Sequence, residues 1–270
     1  MKTANGLAGL PDMAHTRVRD GGLRRWRTEL SILFRIQFAI IRDSWVWVVL
    51  MATLLPLAMI LFMNFFMENP TPETMVRILA GNLIFGVIVM GLNSMGQEIS
   101  WQKHQGHFTF YASLPISKLN FVIANMLRGL MSTLPSFIIL GAIGQYVLGV
   151  EIHYSWGLPV VVLLSMSSVV GAGVALGFWS PSHQLTNVLA QSLMMVVSFL
   201  SPVMVEMSSL PPFVQWISYL LPTTYAADAM RAMLLGGWNT GVLADCLIML
   251  GFTAASVVLI NRLVNWRVKA

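Results

Sequence analysis

QEISWQKHQGHFTFYASLPIS, residues 97–117, is the longest run between apolar spans that is neither terminal nor simply apolar. Apolar spans border it on both sides, so it sits at a membrane face. It carries Glu98, Lys103, His104 and His107, with Lys118 just beyond. Trp101, Phe108 and Tyr111 are spaced by seven and then three residues, which places them near one face of a helix. Gly106 interrupts that helix and Pro115 ends it. The pattern suits an amphipathic segment lying at the interface, a short helix whose exposed side docks on a soluble partner, or a loop with a solvated charge run.

The composition explains why this stretch stands out. The chain has 270 residues, 56% of them apolar and only 10% charged. A soluble domain carries roughly 25% charged residues, so this is an integral membrane protein, and its long apolar runs predict an all-α fold. The formal charge of +5 is not a nucleic-acid signal, because the basic residues cluster at the ends of apolar spans. The one cysteine, Cys246, lies in an apolar run and reads as a small buried hydrophobe. It excludes an intrachain disulfide and a cysteine-based metal site.

Outward from 97–117, the chain divides into spans and connectors. Residues 1–22 read as a mobile tail, without the apolar core of a signal peptide. Residues 23–43 alternate basic and apolar positions, with Leu30, Leu33, Phe34, Phe38 and Ile41 at helical spacing, and predict an interfacial amphipathic helix. Six spans are expected at about 44–66, 78–98, 121–148, 157–178, 185–205 and 242–262. In the second, Gly81, Gly86, Gly91 and Gly96 recur every five residues, a period that does not keep them on one helical face and predicts no single packing seam, though it offers several places for close helix approach. Arg128, near the start of the third, can snorkel to the interface. In the fourth, Gly173 and Gly177 have the spacing that permits tight helix contact. Residues 206–241 are too apolar for a solvated linker, and Pro211, Pro212 and Pro222 cut them into pieces too short to span. Short outer re-entrant helices, covered by protein, fit best.

Fourteen of the 16 Lys and Arg residues lie on one side of this arrangement, leaving Arg77 and Arg231 on the other. The bias predicts cytoplasmic N and C termini, with 97–117 in the cytoplasm and 206–241 outside; the membrane is expected to be the plasma (inner) membrane. No GxxxxGK[ST] loop, HExxH or GxSxG is present. His104 and His107 have no second ligand pair, so no metal and no catalytic residue is expected. Charges within the spans are nearly missing, with Asp245 at the outer edge of the sixth, which argues against ion-coupled transport. Energy for transport would come from another chain.

From about residue 24 to 265 the chain resembles the membrane permease of type-2 ATP-binding-cassette (ABC) exporters, the family of drug, lipid and polysaccharide export permeases. Two stretches carry the resemblance. One is Glu98 and Gly106 followed by SLPIS at 113–117; the other is LPPFVQWISYLLPTTYAADAMRAMLLGG, with its prolines, Tyr225 and then Ala-Met-Arg at 229–231. The resemblance implies that 97–117 is a coupling helix docking on a cytoplasmic ABC ATPase. It implies a homodimer, or a pair with a related permease, above two ATPase subunits that bind the ATP and Mg; this chain itself holds no cofactor. Glu98, Trp101, Lys103, His104, Gly106, Phe108, Tyr111 and Pro115 are the coupling residues so expected. Where the family often has a Glu-Arg-rich run before the glycine, this chain has Gln102, Lys103 and His104. Lys103 and His104 are expected to face the partner, with Trp101, Phe108 and Tyr111 as anchors. Phe199, Met204 and Tyr225 are candidates for the substrate path. An amphiphilic substrate, drug or lipid-like, is expected to move out of the cell by alternating access; a polysaccharide or glycolipid is the alternative. A membrane-embedded enzyme would need more clustered Asp, Glu or His than Glu98, His104 and His107 supply, and a membrane anchor without transport is the remaining class.

Overall fold

The computed structural model describes residues 22–66, 71–113, 116–147, 149–150, 155–201, 203, 207 and 211–264. Every regular element among them is helical: α1 (Gly22–Asp43), α2 (Trp45–Phe66), α3 (Pro72–Val87), a π-helical segment (Ile88–Ser94), α4 (Met95–His104), α5 (His107–Ser113), α6 (Lys118–Tyr146), α7 (Leu158–Trp179), α8 (His183–Leu200), α9 (Pro212–Ser218), α10 (Pro222–Leu235) and α11 (Thr240–Leu263). Four helices begin at caps written in the sequence. Thr71, Ser117, Ser182 and Asn239 each accept the backbone N–H three residues on, at 3.3, 3.2, 3.2 and 2.8 Å. Each bond satisfies an otherwise orphaned donor of a first turn.

Among the described residues, five helical units are long and apolar enough to cross a membrane: the spans in α2, in the continuous α3–π–α4 rod, and in α6, α7 and α11. The chain is a multi-pass membrane protein. The expected fifth span, 185–205, is where the reading and the structure part. Its helix, α8, has 18 residues and stops at Leu200, and His183, Gln184, Asn187 and Gln191 make its first half polar. The second span is longer than expected, because the rod runs unbroken for 33 residues from Pro72 to His104.

The rod and α7 form the centre of the bundle. Their apolar windows are 78% and 61% buried, against 22% for α2 and 17% for α11. Lipid tails are as apolar as leucine, so close packing rather than water exclusion holds such helices together. The five-residue glycine repeat does not form one seam, as expected, but its last two members, Gly91 and Gly96, share a face. Residues 88–94 are wound with i→i+5 bonds; the Met95 N–H reaches the Met90 carbonyl, and the Ser94 hydroxyl donates to the Val89 carbonyl at 3.1 Å. This winding turns Gly91 and Gly96 toward α7 together, where they interleave with Gly173 and Gly177. A Cβ on Gly173 would collide with the Gly91 carbonyl oxygen and stand 2.9 Å from the Leu92 Cα; one on Gly177 would stand 2.6 Å from the Gly96 carbonyl oxygen. Gly81 and Gly86 serve other neighbours, the Val203 carbonyl and Ser136.

Residues 206–241 were expected as short broken helices, and the described part forms α9 and α10, each opened by a proline. The Tyr225 ring, in the first turn of α10, lies 6.3 Å from Phe252. Phe252 is twelve residues into α11, so α10 starts about 18 Å along α11 from its Thr240 end. Farther along α10, Arg231 pairs with Asp228 at 3.2 Å and donates to the Val203 carbonyl at 3.3 Å. Burial pushes the Asp228 carboxyl up, and Arg231 opposes it. At the opposite end of the bundle, a second apolar core gathers Leu33, Ile99, Tyr111, Phe121, Phe178 and Ile260. That core supports the α4–α5 elbow.

Candidate functional site

The elbow is made by one glycine. After His104 the chain turns through Gln105 and Gly106, and Gly106 has φ +77°. A Cβ at Gly106 would meet nothing within 4 Å. Backbone conformation, not space, therefore requires glycine there. The Gly106 carbonyl accepts from the Thr109 N–H at 3.0 Å and starts α5.

The turn sorts the aromatic residues onto different sides. Phe108 stacks on Phe178 at 5.4 Å and meets Phe121 edge-on at 5.5 Å. Tyr111 is buried, 4.9 Å from Phe121; burial pushes its hydroxyl up, opposed by Arg128. Trp101 lies beyond the break, 41% exposed, with its ring edge-on to His107 at 5.1 Å. The three aromatics thus do not share one helical face. Gly106 resets the register between Trp101 and the other two. Pro115 lies outside the described residues.

Two polar clusters bracket the elbow. On one side Glu98 Oε1 pairs with Arg128 Nη2 at 2.9 Å and accepts from Gln102 Nε2 at 2.9 Å. Arg128 Nη1 donates to Gln37 Oε1 at 3.2 Å, joining α1, α4 and α6. Eight residues earlier on α1, Glu29 Oε2 accepts from the Ser117 N–H at 3.1 Å and the Asn120 amide at 2.8 Å. The sequence suggested that Arg128 snorkels to the interface; instead it turns inward to Glu98. Its side chain is 7% exposed, and a buried guanidinium takes the nearest carboxylate.

On the other side Lys103 Nζ donates to the Phe178 and Ser180 carbonyls, at 2.8 and 2.9 Å. These belong to the C-terminal end of α7, where unsatisfied carbonyls and the helix dipole favour a cation. His104 Nε2 lies 2.8 Å from the Pro181 carbonyl and Nδ1 2.7 Å from that of Ser100. A neutral ring serves one of these acceptors, and an imidazolium serves both. Thr186 of α8 completes the clamp by donating to Ser100 Oγ at 2.6 Å. Lys103 and His104 were expected to face outward; here their donors are turned onto the α7–α8 turn.

Among the described residues the elbow's exposed surface comprises Trp101, His104, Gln105, Gly106, His107, Thr109 and Phe110, the last 58% exposed. This is a compact, mostly uncharged aromatic tip on a braced support. Trp is the residue type most enriched at binding hot spots. The expected path residues do not converge in the same way. Phe199 is 63% exposed on α8, whereas Tyr225 packs on α11 and donates to the Tyr219 carbonyl at 2.8 Å. Met204 lies outside the described residues. Sequence reasoning missed Glu29, Gln37, Ser100 and Arg128. A signal existed for Arg128: a cation inside an apolar helix needs a partner, and Glu98 is the nearest acid at the same membrane face.

Comparison with protein families gives a match to the ABC-2 type transporter model over residues 28–235. Comparison with curated proteins gives no match. The chain belongs to the ABC-2 type transporter family. It is thus the membrane permease component of an ABC transporter, whose ATPase activity lies on a separate subunit.

Proposed function

We propose that this ABC-2 permease is the transmembrane half of an exporter that moves an amphiphilic substrate out of the cell, driven by ATPase subunits docked on the α4–α5 elbow. The observation that carries the reading is the double bracket. The Glu98–Arg128–Gln37 cluster ties the elbow to α1 and α6, and the Lys103–His104 clamp ties it to α7 and α8. A push on the exposed tip therefore reaches four helices without passing through a flexible link. In this reading Trp101, His107 and Phe110 touch the ATPase, while Glu98, Lys103, His104, Gly106, Phe108 and Tyr111 hold the tip in place.

Two copies of the chain, or one copy and a related permease, enclose the path between them, with two ATPases beneath in the cytoplasm. The termini are cytoplasmic, α1 lies in the interface, α8 completes the sixth crossing and α9–α10 re-enter from outside. ATP binding closes the ATPases, shifts the elbows and switches the path from inward-accessible to outward-open. ATP and Mg stay with the partner.

Co-purification from native membrane under mild detergent tests the docking. A stoichiometric chain carrying GxxxxGK[ST] should accompany the wild type and be lost with Trp101→Ala plus His107→Ala. A chain purified only with itself would refute the assignment. Uptake into inside-out vesicles, and none into right-side-out vesicles, would establish the outward direction; the reverse would overturn it.

A further inference from the structure

A cavity of about 410 Å³ opens on the flank of the bundle between α7, α8 and α11. No charged side chain lines it; its walls include Ala172, Leu176 and Trp179 of α7, Leu193 of α8, and Leu259 and Leu263 of α11. Along α7 the lining runs from Val169 to Trp179, about 15 Å, or half of the ~30 Å hydrocarbon core. The cavity is thus as long as one leaflet is deep.

Its elbow end differs from the rest. Trp179 is 59% exposed there, and indole rings favour the headgroup level. Arg262, in the last turn of α11 beside Leu263, is exposed and makes no ion pair with any described residue. An apolar trough one leaflet long, with an indole at its end and, next in sequence to its Leu263 wall, a cation that has no ion pair among the described residues, matches a lipid with a negative headgroup. A tail gains no hydrophobic term on leaving other tails, so selectivity comes from packing in the concave walls and from the charge.

We infer that this trough holds one acyl chain of an anionic phospholipid from the elbow-side leaflet, with its phosphate on Arg262 and its ester region against Trp179. The site goes beyond the proposed export function. It is tested without ATPase, so a failure of elbow docking leaves it untouched.

The test is native mass spectrometry of the full chain equilibrated with equal phosphatidylglycerol and phosphatidylcholine. Wild type should retain one lipid per chain with an about fivefold preference for phosphatidylglycerol, the factor expected for a single arginine near the surface. Ala172→Phe, which fills the trough, should abolish that retained lipid. Arg262→Gln should keep the lipid and reduce the preference to about onefold. If Ala172→Phe does not fold, Leu193→Trp blocks the trough from a half-exposed wall and replaces it. Unchanged retention in the blocked variant overturns the site, as does a blocked variant that keeps its lipid but falls from dimer to monomer, which would make the trough a contact between copies. An unchanged lipid preference in Arg262→Gln overturns the headgroup assignment.

Discussion

The Glu98–Arg128 pair should show a lopsided mutant cycle. Arg128 has only 7% of its side chain exposed, whereas Glu98 has 33%. Removing one member of a buried pair costs about 3–5 kcal/mol because the other stays buried and uncompensated. Glu98→Ala strands the more deeply buried member, but Gln37 Oε1 at 3.2 Å still accepts from it, so the lower bound of about 3 kcal/mol applies. Arg128→Met strands a carboxylate that reaches solvent, and screening reduces its cost to about 1 kcal/mol. The double variant leaves no stranded charge and should cost only about 1–2 kcal/mol, less than the sum, giving a coupling of about 2–3 kcal/mol. Unfolding by dodecyl sulfate titration in mixed micelles measures all four proteins. If Glu98→Ala costs no more than Arg128→Met, or the two losses add, the pair is not what holds the elbow. If Glu98→Ala weakens ATPase capture and leaves unfolding unchanged, Glu98 belongs to the docking surface instead.

Lys103→Met should lose transport while keeping ATPase capture, since it frees the α7–α8 turn but leaves the tip intact; loss of capture would return Lys103 to the docking surface. Gly173→Val should lower stability by about 1–3 kcal/mol in the same titration, because its Cβ meets backbone that cannot yield. Gly141→Ala, with nothing within 4 Å of the added carbon, is the control and should cost nothing. Gly106→Ala should cost about 1–2 kcal/mol through its positive φ, with Gly106→Asn milder; equal effects from both would remove the conformational explanation.

The apolar spans, the prolines that open α9 and α10 and the break at Gly106 were legible because each is a local property of the chain. The brackets were not. The Glu98–Arg128 pair joins residues thirty positions apart, and Lys103 reaches carbonyls more than seventy positions away, neither of which periodicity can show. The π segment was hidden for another reason. Nearly every side chain from Ile88 to Leu92 is apolar, so a change of register leaves the hydrophobic pattern unaltered. Only the glycine spacing betrayed it. At 185–205 the described helix is shorter than the expected span, and the polar first half of α8 packs against α4, where Thr186 meets Ser100.

The glycine ladder works like a vernier. One scale, on the rod, is ruled every five residues at Gly91 and Gly96; the other, on α7, is ruled every four at Gly173 and Gly177. Two scales of unequal pitch coincide at a single setting. Sliding α7 by one turn would set a side chain where a carbonyl now sits, so the two central helices have no neighbouring register to slip into. Movement delivered at the elbow must therefore carry rod and α7 together as one shaft. The give that the proposed alternating access demands has to lie at the more loosely packed helices around them.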